Sequence, residues 1–377
     1  MTADIPTNQA AWINRKHARL EVGPAPYTPP GDDEIVIRNH AVAINPLDWI
    51  IQADGDLSYR WLSYPTVLGA DTAGEVAEVG RAVTRFRVGD RVLGHAVGSD
   101  KDCNSAARGA FQQYTVVLER LACPVPDPMP FAQAAVLPLA LSTAACGLFQ
   151  ADQLGLRYPT ADAEPTGRTL LVWGGSTSVG SNAIQLATAA GYEVITTASP
   201  RNFGYVRSLG AKQVFDYASP TVVPDIIAAF AGRTLVGAIA IGTTGAPACV
   251  RITGACRGNR FVSIASPPVS FASLAGPGRG RLALPRVLRR LITSNVALQL
   301  AARRSGVRTR YIFGTTLKAN EVSTAVYRDF LPGALAAGRY LAAPEPSIAG
   351  HGVQDLQRAM DLQLQGVSAA KVVVTLT

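Results

Sequence analysis

Thr169 to Trp173 is a continuous apolar run. Gly174-Gly175-Ser176-Thr177-Ser178-Val179-Gly180 follows it, and a helix-patterned stretch runs from Val179 to Ala190. An apolar run without alternation suits a strand buried on both faces, which occurs where helices cover both sides of a parallel sheet. Small residues after such a strand let the backbone turn tightly and approach an anion. The helix start then offers its unpaired N–H groups and the positive end of its dipole. The rhythm repeats: Glu193 to Ala198 reads as a strand, Phe203 to Leu209 as a helix stopped by Gly210. Gln213 to Tyr217, Leu235 to Ile241 and Arg260 to Ala265 read as further strands. Alternation of this kind predicts an α/β fold with a doubly wound parallel sheet.

A glycine turn between a buried strand and a helix is the setting of a dinucleotide pyrophosphate site, so the sheet is expected to be of Rossmann type. The loop departs from G-x-G-x-x-G at Ser178, whose hydroxyl can itself donate to a phosphate oxygen. Cofactor choice is read about 20 residues on, where an acid would bind the ribose 2′-hydroxyl of NAD. Here the strand ends in Ala198-Ser199-Pro200-Arg201-Asn202, without a carboxylate. Ser199 can hydrogen-bond and Arg201 can pair with a 2′-phosphate, so NADPH is expected over NADH.

The 377 residues exceed the usual size of one hydrophobic core, so a second domain is expected. The first third supplies it. Glu34 to Asn39 and Gly74 to Val79 alternate apolar and polar, and Arg91 to Leu93 follows the Val88-Gly89-Asp90 turn, which reads as a mostly β domain. Gln133 to Phe149 reads as one or two buried helices, and Ala151 to Gly167 as a loop. Near the end, Tyr311 to Gly314 reads as a strand, Glu321 to Ala337 and Gln354 to Gln365 as helices, and Lys371 to Leu376 as a last strand.

The five cysteines are odd in number and widely spaced, which fits reduced thiols better than a disulfide or zinc framework. His17, His40, His95 and His351 have no neighbour at metal-ligand spacing. No apolar run approaches the roughly 18 residues of a membrane span and the start lacks a signal pattern, so a cytoplasmic protein is expected. The formal charge of +8 is uneven: Arg279, Arg281, Arg286, Arg289, Arg290, Arg303, Arg304, Arg308 and Arg310 crowd one segment, with no acid from Ser266 to Ala319. A solvated helical insertion is one reading of that run. Nucleic acid is not expected, because the run has no interleaved aromatics and no recognition motif.

Four stretches together carry a family likeness: Ala43-Ile44-Asn45-Pro46-Leu47-Asp48-Trp49, Leu68-Gly69-Ala70-Asp71-Thr72-Ala73-Gly74-Glu75-Val76, Phe86-Arg87-Val88-Gly89-Asp90-Arg91-Val92 and Gly109-Ala110-Phe111-Gln112-Gln113-Tyr114. With them the chain resembles the medium-chain dehydrogenase/reductase superfamily over nearly its full length. The resemblance implies a GroES-like catalytic and substrate domain at residues 1–145 and 311–377. It implies an NADPH-binding Rossmann domain at 146–310, with a basic insertion at about 270–308. Zinc-dependent members hold their catalytic metal with a Cys in the first stretch and a His in the second. Asn45 and Ala70 stand there instead, and the cysteine-rich structural lobe is missing too, so no metal site is expected. Without a Lewis acid, reduction of an activated C=C bond is a better expectation than alcohol dehydrogenation.

Leu137 to Ala144, Ser199 to Phe203, Phe215-Asp216-Tyr217, Ala342 to Pro346 and Gly366 to Lys371 look like the trans-acting enoyl reductases of polyketide pathways. This resemblance implies that Pro46, Leu47, Asp48 and Trp49 line the nicotinamide side and that Ser176, Thr177, Ser178 and Val179 hold the pyrophosphate. Ser199, Pro200, Arg201, Asn202 and Tyr217 would hold the adenosine phosphate end, and Ile264, Ala265, Ser368 and Ala369 would close over the cofactor. The substrate would lie between the domains, against Val136, Leu139 and Thr143 and a strand at Phe313 to Leu317 that includes Gly314 and Thr315. Asn45 and Thr143 are candidates for contacting nicotinamide or substrate, or else for tying loop backbone together. Tyr59 and Tyr64 are candidate proton donors, with ordinary packing as the alternative.

The likeness points to an NADPH-dependent oxidoreductase of secondary metabolite biosynthesis that acts on a small-molecule or carrier-bound enoyl substrate. A quinone or enone reductase is one alternative, and an NADPH-binding auxiliary or redox-neutral protein another. An acidic carrier or synthase is the partner that the basic segment suits. The chain is expected to be a monomer or a homodimer.

Overall fold

A computed structural model describes residues 6–55, 57–275 and 282–376. The early strands are β1 (Asn8–Ile13), β2 (Leu20–Ala25), β3 (Glu34–Ala43), β4 (Thr66–Val67), β5 (Asp71–Val79), β6 (Arg91–His95), β7 (Tyr114–Leu118) and β8 (Ala122–Pro124). The helices among and after them are α1 (Pro46–Asp54), α2 (Phe131–Ala134) and α3 (Pro138–Phe149). Then come β9 (Arg168–Trp173), α4 (Ser178–Ala189), β10 (Glu193–Ala198), α5 (Phe203–Ser208), β11 (Gln213–Asp216) and α6 (Val222–Ala229). They lead to β12 (Thr234–Ala240), α7 (Gly245–Ala255), β13 (Phe261–Ile264), α8 (Ala283–Arg304) and β14 (Arg308–Tyr311), and the last strands are β15 (Glu345–His351) and β16 (Ala370–Thr375).

The chain divides into two compact units: Met1–Leu139 with Leu274–Arg279 and Leu335–Thr377, and Ala140–Ser273 with Gly280–Ala334. The boundaries differ from those expected near 145 and 311, since residues 140–145 and 311–334 belong to the second unit.

In the first unit β15-β16-β3-β5-β6-β8 form one sheet, with β7 also paired to β3, and β2-β1-β4 form a smaller one. β3 is long because it serves three neighbours. It pairs with β5 along most of its length, with β7 at its start and with β16 at its end. That register brings Asp71 opposite Ala43 on one side and opposite His95 on the other. β1, β2 and β15 were not expected. β2 contains Gly23 and Pro24 and β15 contains Pro346 and Gly350, residues that read as turns and are tolerated in strands mainly near edges.

The second unit is built on one parallel sheet of order β11-β10-β9-β12-β13-β14. From β9 the chain winds outward through β10 and β11, then returns to β12 on the other side. The strand order therefore reverses at the carboxyl ends of β9 and β12, and α4 begins there. The apolar runs that read as strands are buried: Leu170, Leu171 and Val172 in β9 and Ala238 and Ile239 in β12 are fully enclosed.

Two expectations need correction. The strand expected at Tyr311 to Gly314 lies earlier, at Arg308–Tyr311, where it pairs with β13 from Phe261 to Ile264 and stops where β13 stops. Phe313 to Leu317 is therefore not a strand; Gly314–Ala319 is a tight helical turn. The helix expected from Glu321 to Ala337 is loosened over Thr324–Phe330 into a wider π-type coil before it resumes at Leu331. Pro332 has no N–H and its ring crowds the carbonyl four residues back, which accounts for the widening.

Among the described residues one helical stretch, Phe131–Phe149, is long and apolar enough to cross a bilayer, and 78% of it is buried inside the protein. The basic segment is helical as α8, while Arg279 and Arg281 lie outside the described residues. Gly258 has a φ of +133°, and a Cβ there would run into the carbonyl oxygen of Leu235. Gly258→Ala is expected to cost about 1–3 kcal/mol. A fall in the thermal midpoint checks this, and an unchanged midpoint would show that the loop relaxes freely.

Candidate functional site

The loop between β9 and α4 is shaped by its glycines. Gly174 takes a φ of +89°, and a Cβ on Gly175 or Gly180 would collide with the Thr196 hydroxyl or the Gly174 carbonyl respectively. Thr177 caps the helix: its hydroxyl donates to the Gly174 carbonyl (2.8 Å) and accepts from the Gly180 amide (3.0 Å). Of the first-turn N–H groups, which helix geometry leaves without intrahelical acceptors, those of Ser178 and Val179 are thereby offered to an anion. The loop offers a diphosphate close backbone approach and N–H donors. Ser176 and Ser178 are half-buried beside it.

Across the sheet, β10 ends at Ala198, and Ser199 leads into a tight turn at Pro200–Asn202. Arg201 is exposed there, Asn202 is buried, and Tyr217 at the end of the neighbouring strand is exposed. The sequence reading considered only β10 for an acid. The register places Asp216 beside Ala198, one strand over, where its carboxylate accepts from the Ala218 amide (2.9 Å). Ile264 is buried at the end of β13, and the Ala265 amide donates to Ala240.

The first unit contains a buried polar cluster. Lys371 is 4% exposed, and its ammonium lies 2.9 Å from Asp71 Oδ2 and 2.5 Å from Asn45 Oδ1. Asn45 Nδ2 donates to the same Asp71 oxygen (2.8 Å), while Asp71 Oδ1 accepts from the Leu139 amide (2.6 Å). The Asn45 backbone N–H donates to Asp48 Oδ2 (2.7 Å). Both ends of the Asn45 amide are thus engaged, which supports the tying role over ligand contact.

Burial pushes the Asp48 carboxyl up to about 7, opposed by the Asn45 backbone N–H and reinforced by the charge of Asp71. His95 is fully enclosed, and among the described residues neither ring nitrogen has a hydrogen-bond partner. Burial holds its pKa down at about 4, despite the charge of Asp71 opposite. This donor set does not fit a zinc ion: Ala70 offers no ligand atom, and Asn45 and Asp71 are already bound to an ammonium.

Sequence reasoning missed Asp71, His95 and Lys371 as a group. A lone lysine entering the apolar run Val372-Val373-Val374 was the one available signal, because a lysine is rarely enclosed unless paired.

The remaining candidates are placed unit by unit. In the first, Pro46 starts α1, Leu47 and Trp49 pack on the core with Tyr59 and Tyr64, and Trp49 donates to Gln363. Tyr59 also packs against Trp61, with ring centres 5.1 Å apart, and burial raises its pKa. Val136 is buried, Leu139 half-buried and Ser368 exposed, and Ala369 takes a φ of +48°. In the second unit Thr143 lies close against Gly314, since a Cβ there would come within 2.8 Å of its hydroxyl. Phe313 is exposed and Thr315 half-buried, while Cys146 faces the carbonyls of Phe313 and Gly314 and the Thr316 hydroxyl.

A parallel sheet with a diphosphate loop at its strand-order reversal, joined to a β unit, defines a two-unit nucleotide-binding reductase or dehydrogenase. Residues 31–127 match the alcohol dehydrogenase GroES-like domain. The dehydrogenase pigH of Monascus ruber is 50% identical over 374 residues, which span 99% of this chain and 100% of that one. The trans-enoyl reductase himH of Aspergillus japonicus is 38% identical over 377 residues, 98% of each chain. Among solved structures, an alcohol dehydrogenase superfamily protein from Novosphingobium aromaticivorans is similar with a TM-score of 0.71. It is 25% identical, over 98% of this chain and 100% of that one. The chain belongs to the medium-chain dehydrogenase/reductase family, whose enzymes bind a nicotinamide cofactor.

Lys371→Met leaves Asp71 buried and unpaired, and is expected to cost about 3–5 kcal/mol. Adding Asp71→Asn should recover part of that loss; thermal unfolding of both variants checks it, and no recovery would show that the pair does not act as a unit. The pH dependence of the corner has two opposed parts. Asp48 binds its proton more tightly in the folded state, so its contribution is lost as pH rises toward about 7. His95 is held neutral, so its contribution is lost as pH falls from 6.5 toward about 4. Asp48→Asn removes the first, so the variant's stability should rise with pH across that window more steeply than the parent's. Parallel curves would refute the assignment.

Proposed function

We propose that this protein reduces an activated carbon–carbon double bond, in an enoyl or related α,β-unsaturated carbonyl intermediate of a biosynthetic pathway, with NADPH and without zinc. The observation that carries the cofactor half is the diphosphate cradle at the β9–α4 turn, with Arg201 at the end of β10. The reaction half is supported by the name of the himH relative, trans-enoyl reductase, and by a donor set at Asn45, Ala70 and Asp71 that suits an ammonium and not a metal.

The amides of Ser178 and Val179 bind the diphosphate and Thr177 keeps that turn rigid. Arg201 pairs with the 2′-phosphate and Ser199 supplies a hydrogen bond. When bound, a reduced nicotinamide would supply the hydride for the β-carbon of the acceptor, and solvent water would supply the proton for the α-carbon. Tyr59 is a packing residue on this reading: its ring lies against Trp61 on the core of the first unit. The five cysteines are free thiols, which suits a cytoplasmic location.

NADPH oxidation measured against enoyl thioesters, enones and quinones tests the reading, before and after dialysis against a chelator. Turnover of enoyl thioesters that survives chelation is expected. No oxidation with any substrate class would overturn it. Arg201→Ala should raise KM for NADPH about tenfold, the value of a lost charged hydrogen bond, and leave KM for NADH nearly unchanged. Equal changes for both cofactors would remove the 2′-phosphate assignment.

A further inference from the structure

We infer that the outward face of α8 is a docking surface for an acidic protein segment that carries apolar side chains among its carboxylates. The helix has 22 residues, which makes it about 33 Å long. One side is anchored: Val287, Leu298 and Ala302 are buried, and Asn295 accepts from the Tyr311 hydroxyl (2.8 Å). The other side carries Leu288, Ile292, Val296 and Leu300, exposed by 37, 57, 54 and 46%. Steps of four keep these residues adjacent along one face. Single exposed apolar residues are ordinary on a protein surface, but a row of four on one helix face marks an interaction surface.

The charges of the helix select the partner, and two of them share the face of the apolar row. Arg286, Arg289, Arg290, Arg303 and Arg304 belong to α8, which has no acidic residue and no lysine. At 3.6 residues per turn, Arg289 falls about 20° from both Val296 and Leu300, and Arg303 about 20° from both Ile292 and Val296. These two guanidinium groups therefore fall within the angular sector of the apolar row, three residues from Ile292 and from Leu300 respectively. A helix that lies in a membrane surface separates its basic and apolar faces, and α8 does not; it also lacks an aromatic anchor. A second copy of this chain would bring like charges together. An acidic protein ridge meets both demands: carboxylates pair bidentately with arginine, and apolar side chains between them cover the row. Arginine is also enriched, and lysine depleted, at protein interfaces.

The inference is independent of the reaction and is tested by binding. The full chain is titrated into two labelled synthetic amphipathic helices of about 20 residues, one with glutamates beside a leucine row and one with lysines in their place. Saturable, salt-sensitive binding of the acidic peptide is expected, at least about tenfold tighter than of the basic one. Arg289→Glu with Arg303→Glu, and separately Ile292→Ser with Val296→Ser, should each weaken it about tenfold. Both variants leave the buried face untouched, so their thermal midpoints should stay near the parent's and NADPH oxidation should be unchanged. Equal affinity for the two peptides, no binding, or indifference to both variants would overturn the inference. Capture by phosphatidylcholine/phosphatidylserine vesicles that both variants abolish would assign the face to lipid instead. A dimer in sedimentation that dissociates in the Ile292→Ser, Val296→Ser variant would assign it to a second copy; either result overturns the acidic partner.

Discussion

The arrangement of the first unit depends on one ammonium enclosed with one carboxylate. Lys371 and Asp71 have both left water, a step that costs several kcal/mol per ion unless the remaining hydrogen-bonding capacity is met. Asn45 meets it, with its oxygen toward the ammonium and its nitrogen toward the carboxylate. Because the second Asp71 oxygen holds the Leu139 amide, one ion pair fixes the start of β16, the start of β5, the turn into α1 and the beginning of α3.

The second unit solves a different problem by topology. A parallel sheet leaves the carboxyl ends of its strands pointing at connecting loops, and where the strand order reverses those loops diverge and leave a crevice. The β9–α4 turn lies there, and its three tight glycine positions are needed because strand, loop and helix approach more closely than a side chain allows. The anion-binding character proposed for this turn rests first on backbone groups, with the Ser176 and Ser178 side chains beside them.

This difference decides what was legible in the sequence. The turn is local: an apolar strand, small residues and a helix start are contiguous, and Thr169 to Ala198 reads in order as strand, loop, helix and strand. The polar cluster is not local. Lys371 and Asn45 are 326 residues apart, and no spacing rule connects them. Asn45 was recognisable as a substituted ligand position, but the ammonium that occupies its oxygen was not. The misplaced strand near Tyr311 has a similar cause, since the end of β14 is set by the end of its partner β13 and not by its own residues. β2 and β15 contain prolines and glycines that a local reading assigns to turns, and only their neighbours make them strands.

The thiols acquire a meaning from the proposed substrate class. An α,β-unsaturated carbonyl is an electrophile that alkylates thiolates, so a protein that handles one is exposed to its own substrate. Cys146 lies against the Gly314 turn, next to Thr143, yet burial pushes its thiol up to about 12, and burial raises Cys123, Cys249 and Cys256 as well. These sulfurs stay protonated and weakly nucleophilic at neutral pH. Enclosing these four does more than fill the core: it keeps them away from the class of compound the protein is proposed to reduce, and leaves Cys103 as the half-buried thiol.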